Sequence, residues 1–380
     1  MTFKLSDICT FADGRIAVAD LDLNNYISTE NMLQNKEGIT RSAGLPTVNQ
    51  TQAYQAEDVL VSNIRPYFRK IWYADRDGGC SNDVLVFRAK ENVYPNFLYY
   101  LLSDNTFFDY ATATAKGTKM PRGDKGAIMR YEVPDLPLDI QIGIADTLAA
   151  LDARIAENRA INNHLEQMAQ AIFKSWFVDF EPFGAVMPDD WREGTLSEIA
   201  TITMGQSPDG SSYNEDGIGT VFYQGRAEFG SRFPTRRLFT TQPKRMATKG
   251  DVLMSVRAPV GDLNIAFESC CLGRGLAGIQ SNNDGQSFVL YTMFALKQTL
   301  DMFNGEGTVF GSINKNDMAN LPVLIPTDDV LRQFGELVNP MDAAIEANYA
   351  ESCNLQAARD SLLPRLMSGE LSVADLGDAK

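Results

Sequence analysis

The sequence contains one histidine, His164, and five cysteines, Cys9, Cys80, Cys270, Cys271 and Cys353. A lone histidine supports a Ser-His-Asp or Cys-His relay only when a nucleophile and an orienting acid stand beside it. His164 falls in a segment of helical periodicity, where a surface or packing role is the plain reading. The cysteines are odd in number and form no Cys-x-x-Cys pair, so reduced thiols are expected, with neither a disulfide framework nor a metal site. No Gly-x-x-x-x-Gly-Lys-Ser/Thr loop is present to cradle a nucleotide, and Gly273-Arg274-Gly275 is too short for a dinucleotide fingerprint. A tight turn presenting Arg274 is the economical reading.

The chemistry that remains is that of reading nucleic acid. Arg binds guanine bidentately, Gln and Asn bind adenine, and Lys, Ser and Tyr commonly hold phosphates. The first region carrying such residues holds Arg65, Tyr67, Arg69 and Lys70, then Lys116, Lys119 and Arg122. With Lys125 and Arg130 against Asp124 alone, residues 116–130 carry a local charge of +4. The second region holds Ser207, Gln224, Arg226, Arg232, Arg236, Arg237, Lys244, Arg245, Arg257 and Arg274, and residues 226–257 carry +6. A solvated face is the competing reading of each cluster, and core packing is the expectation for Phe68, Phe222 and Tyr223.

The net charge of −15 speaks against a nucleic-acid partner, because phosphate binding needs cations. Its distribution removes the objection. Residues 138–185 carry −4 and residues 321–380 carry −6, so acid gathers in the segments of helical periodicity and cations gather elsewhere. No apolar run approaches the roughly 20 residues that span a bilayer, and Met1-Thr2-Phe3-Lys4-Leu5 is no signal-peptide core. A soluble cytoplasmic protein without a membrane partner is expected.

The elements that must position these residues occur twice. Leu151-Asp152-Ala153-Arg154-Ile155-Ala156-Glu157-Asn158 matches Met341-Asp342-Ala343-Ala344-Ile345-Glu346-Ala347-Asn348, and Gly117-Thr118 matches Gly307-Thr308 at the same offset. Leu5-Ser6-Asp7-Ile8 matches Leu196-Ser197-Glu198-Ile199, and Asp58-Val59-Leu60-Val61-Ser62 matches Asp251-Val252-Leu253-Met254-Ser255. Several matches in one order point to duplication. Each half opens with short β-like runs, Val59–Ser62 and Val84–Arg88 in the first, Val252–Ser255 and Leu276–Gln280 in the second, broken by Gly and Pro.

A long helix closes each half. The first is expected over about 138–178 after Pro134 and Pro137, the second over about 327–368 after Pro326, with Thr327 or Asp328 as cap. Heptad spacing places Leu148, Leu151, Ile155, Asn158, Leu165 and Ile172 on one seam and Met341, Ile345, Asn348, Leu355 and Leu362 on the other, so the helices are expected to pair. Pro340 and Pro364 are expected to kink or interrupt the second. In an antiparallel pair Asn158 and Asn348 meet at the crossing; the alternative is that both face solvent or a partner.

Several motifs carry a family resemblance. Met204-Gly205-Gln206-Ser207-Pro208, Phe222-Tyr223-Gln224-Gly225, Gly250-Asp251-Val252-Leu253-Met254-Ser255-Val256-Arg257-Ala258-Pro259 and Cys271-Leu272-Gly273-Arg274-Gly275 closely resemble a target-recognition domain of type I restriction-modification specificity subunits. Leu362-Leu363-Pro364-Arg365-Leu366-Met367-Ser368-Gly369-Glu370-Leu371 and Ala171-Ile172-Phe173-Lys174-Ser175-Trp176-Phe177 resemble the ends of that family's two helical regions. The likeness covers essentially the whole chain, though the Gly-x-Ser-Pro opening has no counterpart in residues 1–137.

The resemblance implies an α+β fold: two mixed α/β target-recognition domains, 1–137 and 183–326, separated by two long antiparallel coiled-coil helices in 138–182 and 327–380, in a pseudo-two-fold repeat. It implies a non-catalytic subunit in which each domain reads one half of a bipartite, asymmetric site on double-stranded DNA. The helices set the spacer and dock methyltransferase subunits, two by the family pattern, with restriction/translocase subunits joining. No cofactor is expected in this chain; S-adenosylmethionine, ATP and magnesium belong to the partners. Two other readings stand beside it: a stand-alone DNA-binding protein, and a specificity chain with its own methyltransferase or nuclease activity. Asn339-Pro340-Met341-Asp342 shares only its opening with the Asn-Pro-Pro-Tyr loop of adenine methyltransferases and lacks the aromatic that stacks on a flipped base.

Overall fold

Two helices of 40 residues organise the chain. In the computed structural model, which describes residues 3–305 and 311–373, they span Leu138–Phe177 and Asp328–Met367. Gly307 and Thr308, one side of a repeat match, lie outside the described residues. The first helix opens directly after Pro137, and Thr327 stands just before the second, where its carbonyl accepts from Leu331 N at 3.0 Å. The second runs through Pro340 and Pro364 as one uninterrupted helix, where a kink or an interruption was expected. Both prolines are exposed, so the carbonyls they leave unbonded face water, which lowers the cost of continuing.

The chain forms two compact units, Met1–Glu157 with Glu351–Lys380, and Asn158–Ala350. The division falls in mid-helix, so each long helix gives one half to each unit. In the first unit Asp152 meets Arg359 and Arg154 meets Glu351; in the second Asn158 meets Asn348 and Asn162 meets Ile345. Within each unit partner numbers fall as the first helix advances, which is antiparallel pairing. Leu148, Ile155, Asn158 and Ile345 are buried, while Leu151, Leu165, Ile172, Met341, Asn348, Leu355 and Leu362 are half-buried.

The two units repeat one plan. In the first, an antiparallel sheet has the order Cys9–Phe11, Val84–Ala89, Val59–Ser62, Ile71–Tyr73. In the second, Ala200–Met204, Leu276–Ser281, Val252–Ser255 and Leu263–Ile265 take the same order. The central runs Val59–Ser62 and Val252–Ser255 are buried at every position, as strands covered on both faces must be. A second sheet stands beside each, built on Gln50–Tyr54 and Gly78–Cys80 in one unit and on Thr220–Tyr223 and Cys270–Leu272 in the other. Helical residues enter each core: Ile144, Leu148, Leu363 and Leu366 in the first, Phe173, Phe177, Phe334 and Val338 in the second. Each such side chain contributes about 1.5–3 kcal/mol on leaving water, so the helices are part of the domains they carry. The fold is α+β with a pseudo-two-fold internal repeat.

Candidate nucleic-acid interface

The second unit gathers its basic residues through close crossings of backbone. Gly205 N donates to Leu276 O and Gln206 N to Leu272 O, both at 2.9 Å. Leu272 N donates to Arg245 O, Gly273 N to Tyr223 O, and Arg274 N to Ser207 Oγ at 3.3 Å. Only glycine permits this approach. A Cβ on Gly205 would stand 2.1 Å from Gly273 O, and one on Gly273 would stand 2.6 Å from Gln224 Cα. The crossing brings Ser207, Gln224, Arg245 and Arg274 together, and Gln224, Arg245 and Arg274 are exposed.

Arg257 joins them on the turn after Val252–Ser255. Ala258 N donates to Gly311 O at 3.0 Å and Ile313 N to Val256 O at 3.1 Å, fastening that turn to the segment that leads into Lys315. Arg257, Arg274 and Lys315 line one cleft of ≈ 640 Å³ together with Ser312 and Asn314, and among the described residues no acidic one lines it. Lys244, Arg245, Arg257, Arg274 and Lys315 are exposed and make no ion pair among the described residues. Lys315 was not among the candidates read from sequence. The repeat offset of 190 carries Lys125 onto it, so the signal was present.

The first unit repeats the fastened turn. Arg65 N donates to Pro121 O at 2.8 Å and Gly123 N to Asn63 O at 3.1 Å, so the turn after Val59–Ser62 is again fastened to the segment before a short basic helix. Arg65 and Arg69, both left-handed with φ 50° and 51°, flank a turn that holds Tyr67 exposed at its tip. The cations here are more committed. Arg65 lies over the Phe68 ring, Arg69 approaches Asp109 at 3.5 Å, Arg122 pairs with Asp83 at 2.9 Å, and Lys116 pairs with Asp124. The Lys116 ammonium and the Ala127 amide hold the Asp124 carboxyl down to about 2. Lys119 is exposed with no ion pair among the described residues.

Arg232 is a correction. Its side chain is only 6% exposed and forms ion pairs with Asp342 at 2.5 Å and Glu166 at 3.5 Å, so it faces the helices and not solvent. Lys70 is half-buried, with Nζ donating to Thr29 O at 2.6 Å; burial lowers its pKa, and the lysine anchors a loop. Arg226, Arg236 and Arg237 are exposed but paired, with Asp262, Glu268 and Glu228. Exposed pairs are worth about 0–1 kcal/mol, so Arg226 and Arg236 can exchange them for phosphates. Arg237 is held harder, because Glu228 is buried. Phe222 and Tyr223 are buried core residues and Phe68 is half-buried.

Among the described residues no group of three or more His, Cys, Asp or Glu is placed to hold a metal ion. His164 is exposed on the first long helix. No helix among the described residues is long and apolar enough to cross a membrane.

A family model described as type I restriction modification DNA specificity domain matches residues 1–167 and again 188–351. The chain belongs to that family. It is a DNA-recognition subunit of type I restriction-modification, built from two copies of the family domain. A specificity subunit of the type I restriction enzyme MjaX from Methanocaldococcus jannaschii is 31% identical over 307 residues, 77% of this chain and 72% of that protein. The HindI specificity subunit of Haemophilus influenzae is 23% identical over 91% of this chain and 94% of its own. The crystal structure of a type I restriction-modification S subunit from M. genitalium shares the fold, with TM-score 0.58 at 15% identity over 97% of this chain and 96% of that one. The specificity subunit's two matches each contain one fastened basic turn, Arg65 in the first and Arg257 in the second.

Proposed function

We propose that this subunit reads a bipartite, asymmetric site on double-stranded DNA, one half through each unit. The observation that carries this is the duplicated basic turn: Arg65 fastened to 121–123 and Arg257 fastened to 311–313, on sheets of identical strand order. Two copies of one device with different side chains suit two unlike half-sites. In the second unit Arg257, Arg274 and Gln224 supply base-reading groups, and Lys315, Lys244 and Arg245 supply phosphate contacts. In the first, Arg65, Tyr67 and Lys119 take those roles.

The subunit itself catalyses nothing in this reading. It works in the cytoplasm inside a complex in which two methyltransferase subunits dock on the acidic helices, and restriction/translocase subunits join them. S-adenosylmethionine, ATP and magnesium bind the partners. An acidic surface suits protein docking better than DNA.

The test is methylation of a DNA library by the subunit alone and with its methyltransferase partner. Modification of a two-part motif only when both are present is the expected result. Binding of S-adenosylmethionine by the isolated chain, or methylation without the partner, would overturn the assignment.

A further inference from the structure

Arg232 lies between cations that face solvent, Arg226 on one side and Arg236 and Arg237 on the other, yet it points inward. It reaches both long helices at once, Asp342 on the second and Glu166 on the first. Asp342 also accepts from Tyr291 OH at 2.7 Å and from Ser287 Oγ at 2.5 Å. The neighbouring Phe233 is buried against Tyr349 of the second helix, with ring centroids 4.7 Å apart. Gly230 is held from the other side by the Asn264 side chain through two bonds, 3.0 and 3.1 Å. The basic segment is therefore pinned to the helices at its centre, while Arg226, Arg236 and Arg237 toward its ends pair with Asp262, Glu268 and Glu228 away from them.

The repeat shows which part of this latch is new. Tyr100 and Asp152 of the first unit stand where Tyr291 and Asp342 stand in the second, and Tyr100 OH donates to Asp152 at 2.8 Å. Both units thus tie a domain helix to a long helix by the same Tyr-Asp bond. The cation differs. In the first unit Asp152 is met by Arg359, from the opposite long helix. In the second the cation comes from the basic segment itself.

We propose that Arg232 is a positioning residue for DNA reading: it fixes the 226–237 segment on the helix pair, so that discrimination at one half of the site depends on a side chain that never reaches DNA. This rests on the bipartite reading above. A buried, doubly paired guanidinium fixes orientation as a lone hydrophobic contact does not, because removing it leaves two carboxylates facing an apolar side chain.

The test uses the full chain with its methyltransferase partner. Methylated sites are mapped for the wild type, Arg232→Met, Arg232→Lys and Arg257→Ala, and the last marks which half the second unit reads. Arg232→Met is expected to relax that half alone, and Arg232→Lys to restore it in part. Mismatches there that cost the wild type on the order of tenfold or more in binding should cost Arg232→Met less than about threefold. The slope of log K against log salt should stay as in the wild type, since a phosphate contact would lower it by about one. Asp342→Asn, which keeps a polar partner for Tyr291 and Ser287, should relax the same half. Thermal melting confirms that each variant is folded at the assay temperature.

A folded Arg232→Met with the wild-type motif in both halves overturns the inference. So does equal relaxation of both halves, or a salt slope reduced by one. A wild-type motif that is not divided into two halves overturns the bipartite reading itself, and the inference with it.

Discussion

The side-chain amide of Asn158 donates to the main-chain carbonyl of Asn348 at 3.4 Å, and Asn348 Nδ2 donates to Asn162 Oδ1 at 2.9 Å. Asn158 is fully buried. Three amides therefore form a polar step in a seam whose neighbouring positions include Ile155, Leu165, Met341 and Ile345. Such a step fixes register, because a slipped pair would bury these amides against apolar side chains.

Single Asn158→Leu and Asn348→Leu variants are each expected to lower stability by about 1–2 kcal/mol, by stranding the remaining amides. The double variant should recover part of that, giving a coupling energy of about 0.5–1.5 kcal/mol. Denaturant unfolding of the four proteins measures it. Additive losses would show that the two residues act independently.

For DNA contacts the structure separates two classes. Lys315→Ala is expected to weaken binding to all sequences about three- to tenfold and to lower the salt slope by about one. Arg257→Ala should relax one position of the site by about 1–3 kcal/mol. Titrations against specific and random duplexes at several salt concentrations distinguish them. A unit change of slope for Arg257→Ala, with specificity intact, would make it a phosphate contact.

Gly205→Ala tests the backbone crossing that gathers Ser207, Gln224 and Arg274. Its new Cβ would meet Gly273 O at 2.1 Å, so one segment must move. A loss of about 2–4 kcal/mol is expected from such overpacking, together with loss of discrimination at the half-site marked by Arg257. Unchanged thermal stability would mean that the loop yields without cost.

Much of this was legible in sequence because apolar periodicity and internal repetition are local signals. The helices fall within a residue or two of the expected ends, and the buried runs Val59–Ser62 and Val252–Ser255 are strands. The direction of a long side chain is not local. Arg232 reads like its neighbours until Glu166 and Asp342 are placed beside it, and those lie 66 and 110 residues away in sequence. Pro340 and Pro364 misled for a related reason: their cost depends on whether the carbonyls they leave unbonded face water, which burial decides. Lys315 lies outside both basic clusters, and only the repeat, which carries Lys125 onto it, marks it in the sequence.

The repeat also sets a paired experiment on Asp58 and Asp251, which stand immediately before matching strands. Each accepts a main-chain bond three residues back, Asp58 from Gln55 N and Asp251 from Thr248 N. Asp58 also receives a bidentate Arg88, at 2.7 and 2.8 Å. Among the described residues Asp251 has only the Thr248 hydroxyl in addition, and burial raises its pKa above the usual 3.8. Asp58→Asn should cost about 1–3 kcal/mol at pH 7, less than the roughly 3–5 kcal/mol of a fully buried pair that is broken, because Arg88 is partly exposed. Asp251→Asn should be neutral or stabilising there. The sign follows from proton binding: between 3.8 and the raised value the folded chain holds more protons at Asp251 than the unfolded chain, so wild-type stability falls as pH rises through that window and stays lower above it. An Asn cannot ionise and escapes the loss. The advantage of Asp251→Asn over the wild type should therefore be full at pH 7 and shrink as pH falls toward 3.8. Urea unfolding midpoints at both ends of that range decide it, and an Asp251→Asn as damaging as Asp58→Asn at pH 7 would show that the Thr248 bonds outweigh burial.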